Sequence, residues 1–167
     1  MLYCEPVNDQ VLLSKCATFS SVFVLGCPGC ANFSLFVQNG YAPDGMYQFT
    51  PTGLKALAVV DKVHQLISMF QARKVHVDSW VSKYPNLSMC MVDKENQARI
   101  QKKTCSYEAV ITLACDRGIG NVAQILEDKK VIAGMQATAI ASAVPQKGLS
   151  KISLEKDTLC LTPIVVN

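Results

Sequence analysis

Cys27 and Cys30, in the run Gly26-Cys-Pro-Gly-Cys30, are the residues of this chain whose spacing points most directly to chemistry. They stand at the exit of an apolar run, Ser21-Val-Phe-Val-Leu25, that reads as a buried strand. A Cys-x-x-Cys on the turn after such a strand sets two soft sulfur ligands close together, and outward-pointing backbone N–H groups there favour thiolates. Two thiolates begin a metal or cluster site without completing it. The other ligands must come from the remaining cysteines, since the chain has eight, at positions 4, 16, 27, 30, 90, 105, 115 and 160.

The elements that would position them follow from the hydrophobic pattern. Residues 1 to 20 read as a lead-in strand or helix at the domain edge, with an apolar patch at Val11-Leu-Leu13. Asn32 to Val37 fits either a short helix or a strand, because periodicity does not separate the two over so few residues. Thr50-Pro51 reads as an N-cap and first helical residue, opening an amphipathic helix from Leu54 to about Gln71. Lys74 to Asp78 is a second strand, Trp80 to Cys90 a loop broken at Tyr84-Pro85-Asn86, and Val92 to Lys103 a polar helix. A third strand, Ala109 to Ala114, ends at Cys115, and Gly118 and Gly120 fall in the turn before a helix starting at Asn121. Val131 to Ala133 is a fourth strand, and Ile164-Val-Val166 a last apolar run. Strands alternating with helices predict a single α/β domain over 1–167, a mostly parallel sheet with crossover helices in a Rossmann-like three-layer arrangement.

Half of the residues are hydrophobic and 17% are charged, which excludes a disordered chain. A net charge of +3, spread out except at Lys102-Lys103, excludes a nucleic-acid partner of the basic-stripe kind. No apolar segment approaches the roughly 18 to 20 residues needed to cross a bilayer, so no membrane partner is expected. The N-terminal residues lack the pattern of a signal peptide, and the expected location is cytoplasmic. Cysteines in that compartment serve as ligands or core thiols more than as disulfides.

Ligand sites in open parallel sheets form at the carboxyl ends of the strands. Cys27, Cys30 and Cys115 all follow a strand, so topology brings them to one rim. Cys90, in the irregular stretch after the second strand, lies on that rim too, whereas Cys105 precedes the third strand and belongs to the opposite one. The predicted ligand set is therefore Cys27, Cys30, Cys90 and Cys115. Four thiolates suit tetrahedral zinc or an iron–sulfur cluster, and the spacing does not separate these. Cys4, Cys16, Cys105 and Cys160 read as small core or surface hydrophobes. A thioredoxin-like dithiol of Cys27 and Cys30 is the alternative from another class.

The run Val22 to Cys30, then Cys90, then Val110-Ile-Thr-Leu-Ala-Cys-Asp-Arg-Gly-Ile-Gly-Asn-Val-Ala123, resembles the methylenetetrahydrofolate reductase C-terminal domain family. This is the small, cysteine-containing subunit of two-subunit bacterial methylenetetrahydrofolate reductases. The resemblance covers roughly residues 20 to 145. It implies the same four cysteines as ligands, an iron–sulfur cluster of the 4Fe–4S type (with zinc as the alternative), and a place in one-carbon metabolism. It further implies a flavin-containing oxidoreductase subunit as partner, with this chain as a non-catalytic, electron-transferring or accessory subunit. Asp116 stands where the family pattern has Gly, and Cys160 alone stands where the family has a further cluster of cysteines, which implies a shortened relative. Whether the chain forms a homo-oligomer is left open.

Asp116 and Arg117 beside Cys115 could tune a cluster or orient a ligand, or be a solvated loop pair. Gly118-Ile-Gly120 falls short of a dinucleotide fingerprint and is equally a turn needing positive φ. His64 and His76 read as packed or exposed histidines rather than ligands. No paired carboxylates and no Ser/His/Asp or Cys/His nucleophile arrangement stand out.

Overall fold

The computed structural model describes residues 1–83 and 88–164. In chain order the elements are β1 (Leu2–Pro6), α1 (Asp9–Lys15), β2 (Ser21–Gly26), α2 (Cys30–Gln38), β3 (Tyr47–Thr50), β4 (Gly53–Ala56), α3 (Ala58–Ala72) and β5 (His76–Val81). They continue with α4 (Lys94–Thr104), β6 (Ala109–Leu113), α5 (Asp116–Ile125), β7 (Lys130–Ala133), β8 (Met135–Ser142), β9 (Pro145–Lys147), β10 (Lys151–Leu154) and β11 (Cys160–Pro163).

The centre is a four-stranded parallel sheet in the order β5-β2-β6-β7. The two inner strands are buried over nearly their whole length, the signature of parallel strands covered on both faces. Val24 lies between Ser79 on one side and Ile111 on the other, and Gly26 pairs with Leu113. Helix α3 packs on β2 and β5, and α5 on β6 and β7. Buried residues of these elements and of β1 join in one apolar cluster.

A mostly parallel, Rossmann-like three-layer fold is not what forms. The architecture is mixed α/β with three sheets, and the other two are antiparallel, in the orders β1-β8-β11 and β4-β3-β10-β9. The reason lies in two places. Thr50-Pro51 caps no helix: the Thr50 hydroxyl donates to the Gly53 carbonyl (2.7 Å), Gly53 takes φ 127°, and the chain turns back as a β3–β4 hairpin. Residues 135–163 then make four antiparallel strands, of which β9 to β11 span only three or four residues each, and such short runs carry little periodic signal. The parallel sheet ends at Gly134, whose N–H donates to the Thr112 carbonyl (3.0 Å) while its own carbonyl accepts from Val7 (3.0 Å). There the chain leaves one sheet for the next. A Cβ on Gly134 would come within 2.7 Å of the Leu113 side chain, so the switch needs glycine for space.

Other expectations hold or shift by a few residues. The ambiguous segment after Cys30 is helix α2, and the edge segment at 1 to 20 contains both β1 and α1. Helix α5 begins at Asp116, so Gly118 and Gly120 are helical and neither has positive φ. The Tyr84-Pro85-Asn86 breaker and the Val165-Val166 end of the last run lie outside the described residues. Among the described residues no helix is long and apolar enough to cross a membrane.

Two polar ties brace the two ends of the parallel sheet. Asn32 is fully buried in α2; its side chain donates to the Met46 carbonyl (2.9 Å) and accepts from the Val59 N–H (3.0 Å). It thereby fastens α2 to the hairpin and to the head of α3. Replacing it by leucine leaves both backbone groups buried without that partner, an expected loss of about 1–3 kcal/mol for each, measurable by urea unfolding. At the other end of the sheet, exposed Glu108 accepts from the Ser20 N–H (2.6 Å), the Ser21 N–H (3.3 Å) and the Ser20 hydroxyl (3.2 Å). These bonds hold its carboxyl below the usual carboxylate range. A depressed folded-state value stabilises the fold above the unfolded-state pKa, and that contribution vanishes as pH falls through the folded value. Glu108→Gln should therefore lower the thermal midpoint at neutral pH and flatten its decline on acidification.

Candidate metal centre

The site forms where β2 and β6 end side by side. The Cys27 N–H donates to the Leu113 carbonyl (2.9 Å), carrying the β2–β6 pairing one residue past both strands. Beyond that point β2 runs into the Cys27-Pro-Gly-Cys30 turn and β6 into Cys115, the N-cap of α5. Tyr47, buried in β3, donates its hydroxyl to the Pro28 carbonyl and pins the turn from the hairpin side. Ser88 to Met91, the described end of the β5–α4 connection, folds into a tight turn closed by Met91 N–H to the Ser88 carbonyl (2.8 Å). That turn presents Cys90, half-buried, and buries Met89.

The environments of the sulfurs differ. Cys27 is buried, which pushes its thiol up to about 11, although the Met89 and Gly29 N–H groups pull the other way. The charges of Cys115 and Cys90 are both felt at its sulfur, so those residues are near neighbours. Cys30 opens α2 and is half-buried; its thiol donates to Cys115 Sγ and is held well above the ordinary range by that bond and by burial. Cys115 moves the opposite way, down to about 6. The Cys30 bond is the largest cause, helped by the Gly118 and Arg117 N–H groups at the head of α5 and opposed by burial and by Asp116. The two shifts run in opposite directions because the Cys30 thiol and Cys115 interact with each other.

Cys27, Cys30, Cys90 and Cys115 stand at the carboxyl ends of the parallel strands or in the loop beyond them, and Cys105 does not. Cys105 is exposed at the end of α4, its thiol donating to the Lys102 carbonyl (3.2 Å). Cys16 is buried after α1, where burial pushes it to about 11, and Cys160 is exposed on β11. His64 is exposed on α3, and His76, also exposed, stacks on Tyr107. Asp116 is exposed and accepts from the Ala137 N–H (3.4 Å), tying α5 to β8. Arg117 contributes its amide to Cys115 while its side chain is exposed.

One residue of the site escapes the sequence. Cys4 of β1 is fully buried and feels the charges of Cys115, Asp116 and Cys27, which add to burial in raising it to about 12. Its N–H donates to the Ser34 hydroxyl (2.8 Å) on α2. β1 reaches the rim by antiparallel pairing with β8, Leu2 opposite Ile140 and Pro6 opposite Met135. The Leu2 N–H points to the Cys30 sulfur. Only that distant pairing places Cys4, and no local spacing signals it.

The donor set suits a soft metal: every candidate ligand is a thiol, one is already acidified, and backbone N–H groups face three of the sulfurs. The side chains are not gathered round one point, however. Among the described residues, no group of three or more His, Cys, Asp or Glu side chains is arranged to hold an ion. A cavity of about 750 Å³ between α4 and α5, lined by Cys90, Met91, Gln97, Gln101 and Asn121, opens this side of the rim to solvent. No family model matches this chain, and no match was found among curated proteins or solved structures.

Proposed function

We propose that the protein binds an iron–sulfur cluster of the 4Fe–4S type through Cys27, Cys30, Cys90 and Cys115. In this reading it serves as an electron-transfer or accessory subunit to a flavin-containing reductase of one-carbon metabolism. The observation that carries the thiolate centre is the interaction between the free thiols of Cys30, at the head of α2, and Cys115, just past β6. The resemblance to the small subunit of methylenetetrahydrofolate reductases supports the partner and the pathway. When bound, such a cluster supplies one-electron transfer.

The chain's own residues do the rest. Cys115 offers a thiolate near neutral pH, so ligation can start there without a strong base. The N–H groups of Met89 and Gly29 at Cys27, and of Leu2 at Cys30, stabilise negative sulfur and would set the potential of a bound cluster. The Tyr47 bond to Pro28 and the Asn32 ties keep the Cys27–Cys30 turn in place while ligands load.

Zinc in the same ligand set is the second reading, favoured by the same all-sulfur donors; it would make the protein a structural or scaffold module. Anaerobic purification with metal and sulfide analysis and a visible spectrum separates the two. Iron with acid-labile sulfide and broad visible absorbance supports the cluster. Colourless protein with stoichiometric zinc supports the scaffold, and protein that takes up neither metal on reconstitution refutes both.

A further inference from the structure

We infer that the cavity between α4 and α5 is a binding site for a linear aliphatic polyamine, a small cation whose ammonium groups are separated by methylenes. The inference goes beyond the metal reading and does not rest on it. It stands on the size of the cavity, on the polar groups its wall offers, and on where the neighbouring cations of the chain lie.

At about 750 Å³ the cavity is in the size class of small-molecule sites, roughly 300–1,000 Å³, and is far too roomy for a bare metal ion. Its polar wall is made of acceptors. Gln97 and Gln101, about 6 Å apart along α4, line it from one helix, and Asn121 and Gln124 line it from α5. Three of these carboxamides are held in place. Gln97 donates to the Val92 carbonyl (3.3 Å), Gln101 to the Ile125 carbonyl (3.1 Å) and Asn121 to the Met89 carbonyl (3.2 Å). A carbonyl partner accepts only from the amide nitrogen, so the oxygen of each side chain is the group left over. Among the described residues nothing donates to those oxygens, and the side chains of Gln124, Glu127 and Asp128 make no hydrogen bond or ion pair.

The field in the cavity has one sign. Glu127 and Asp128 line it while no Lys, Arg or His does, although the whole chain carries a net charge of +3. The nearest cations are engaged elsewhere. Lys129, next to Asp128, donates to the Cys105 and Tyr107 carbonyls (both 3.0 Å). Arg99, Lys102 and Lys103 border a different depression on another face of α4, where Arg99 pairs with Glu95 (2.9 Å). The cavity also takes in the last turn of α5, the negative end of that helix dipole. Charge alone would suit any cation, and the apolar lining narrows the choice. Met91, Val92 and Ile125 share the wall with the acceptors, and Met91 is 75% exposed, an unbranched side chain free to lie along methylenes. Acceptors spread over a turn of both helices match several ammonium groups on one chain better than a single compact charge.

The test titrates spermidine into the full-length reduced protein at low ionic strength, followed by calorimetry and by NMR of the carboxamide side chains. The expected result is saturable binding that shifts the side-chain amide signals of Gln97, Gln101 and Asn121. Glu127→Gln combined with Asp128→Asn should weaken it about tenfold. Glu95→Gln removes a carboxylate on the other face of α4 and should leave the affinity unchanged. Hexane-1,6-diol, with methylenes and no charge, should not bind. Absence of saturable binding, amide shifts confined to residues outside the cavity, or an equal loss in Glu95→Gln would overturn the inference. So would displacement by an equal charge of Mg²⁺, the mark of a diffuse field, or equal affinity for acetyl-lysine methylamide, the mark of a partner protein's lysine. The wild-type NMR shifts locate the site unaided, so the result stands even if a variant fails to fold. Protonated amines do not ligate thiols, and metal content is measured separately, so failure of this inference is distinct from failure of the metal reading.

Discussion

Cys115→Ala protein, purified without oxygen, is expected to retain little or none of the metal that the proposed centre binds in the wild type. The effect should be large because Cys115 combines three roles. Its thiol is the one pulled below the ordinary cysteine range among those displaced, it interacts with Cys30, and it is the N-cap residue that leads from β6 into α5. A structural metal held by four cysteines contributes on the order of 10 kcal/mol of binding free energy, and removing one ligand of four forfeits a large part of it. Cys105→Ala is the control, since Cys105 is exposed at the opposite rim and should leave metal content unchanged. Cys4→Ala examines the ligand set from another side. Cys4 is buried among the rim charges, so loss of metal in Cys4→Ala with retention in Cys90→Ala would exchange those two residues in the set. Full metal content in Cys115→Ala would refute the set altogether.

Gly118→Ala and Gly120→Ala are expected to move stability in opposite directions. Both residues lie in α5 with negative φ, so helix propensity alone favours alanine at each by roughly 1 kcal/mol. At Gly120 nothing lies within 4 Å of the added Cβ, and the gain should be realised as a higher unfolding midpoint. At Gly118 the added Cβ would sit 2.9 Å from Ala114 Cβ and 3.0 Å from Met89 Cβ. Neither atom can rotate away, because a Cβ moves only with its backbone. The helix head must lift off the strand end or the Ser88–Met91 turn must shift, and overpacking of this kind costs about 1–3 kcal/mol. The same shift displaces Cys115 and the Met89 N–H that faces Cys27, so metal uptake should fall along with stability. Chemical denaturation of the two variants beside the wild type reads the sign directly.

The pair also shows where sequence reasoning succeeds and stops. The strands β2 and β6 are legible because parallel strands buried on both faces are written as unbroken apolar runs, and their ends locate Cys27, Cys30 and Cys115. Placing Cys105 on the rim opposite Cys90 needed only the direction of the strands. Gly118 shows the limit: two glycines after a strand look like a turn, and only the closeness of Met89, a residue from another loop, explains why one of them must lack a side chain. Thr50-Pro51 misleads for a related reason, since a helix cap and a hairpin turn draw on the same residue types. The antiparallel sheets stay hidden because their pairings join segments far apart, β1 with β8 and β3 with β10. Cys4 is hidden with them.

That long-range pairing of β1 sets an order of assembly. Cys27 and Cys30 leave the ribosome early and Cys115 later, but β1 finds its partner strand only once residues 135 to 142 have emerged. A nascent chain stalled before residue 135 can form the parallel strands yet cannot bring the Leu2 amide to Cys30 or bury Cys4 against the rim. Closing so long a loop carries a high entropic cost, which puts this step late in folding. Until then the thiols at the sheet edge are open to solvent and to oxidants, so maturation of the centre belongs to the finished chain rather than to its synthesis.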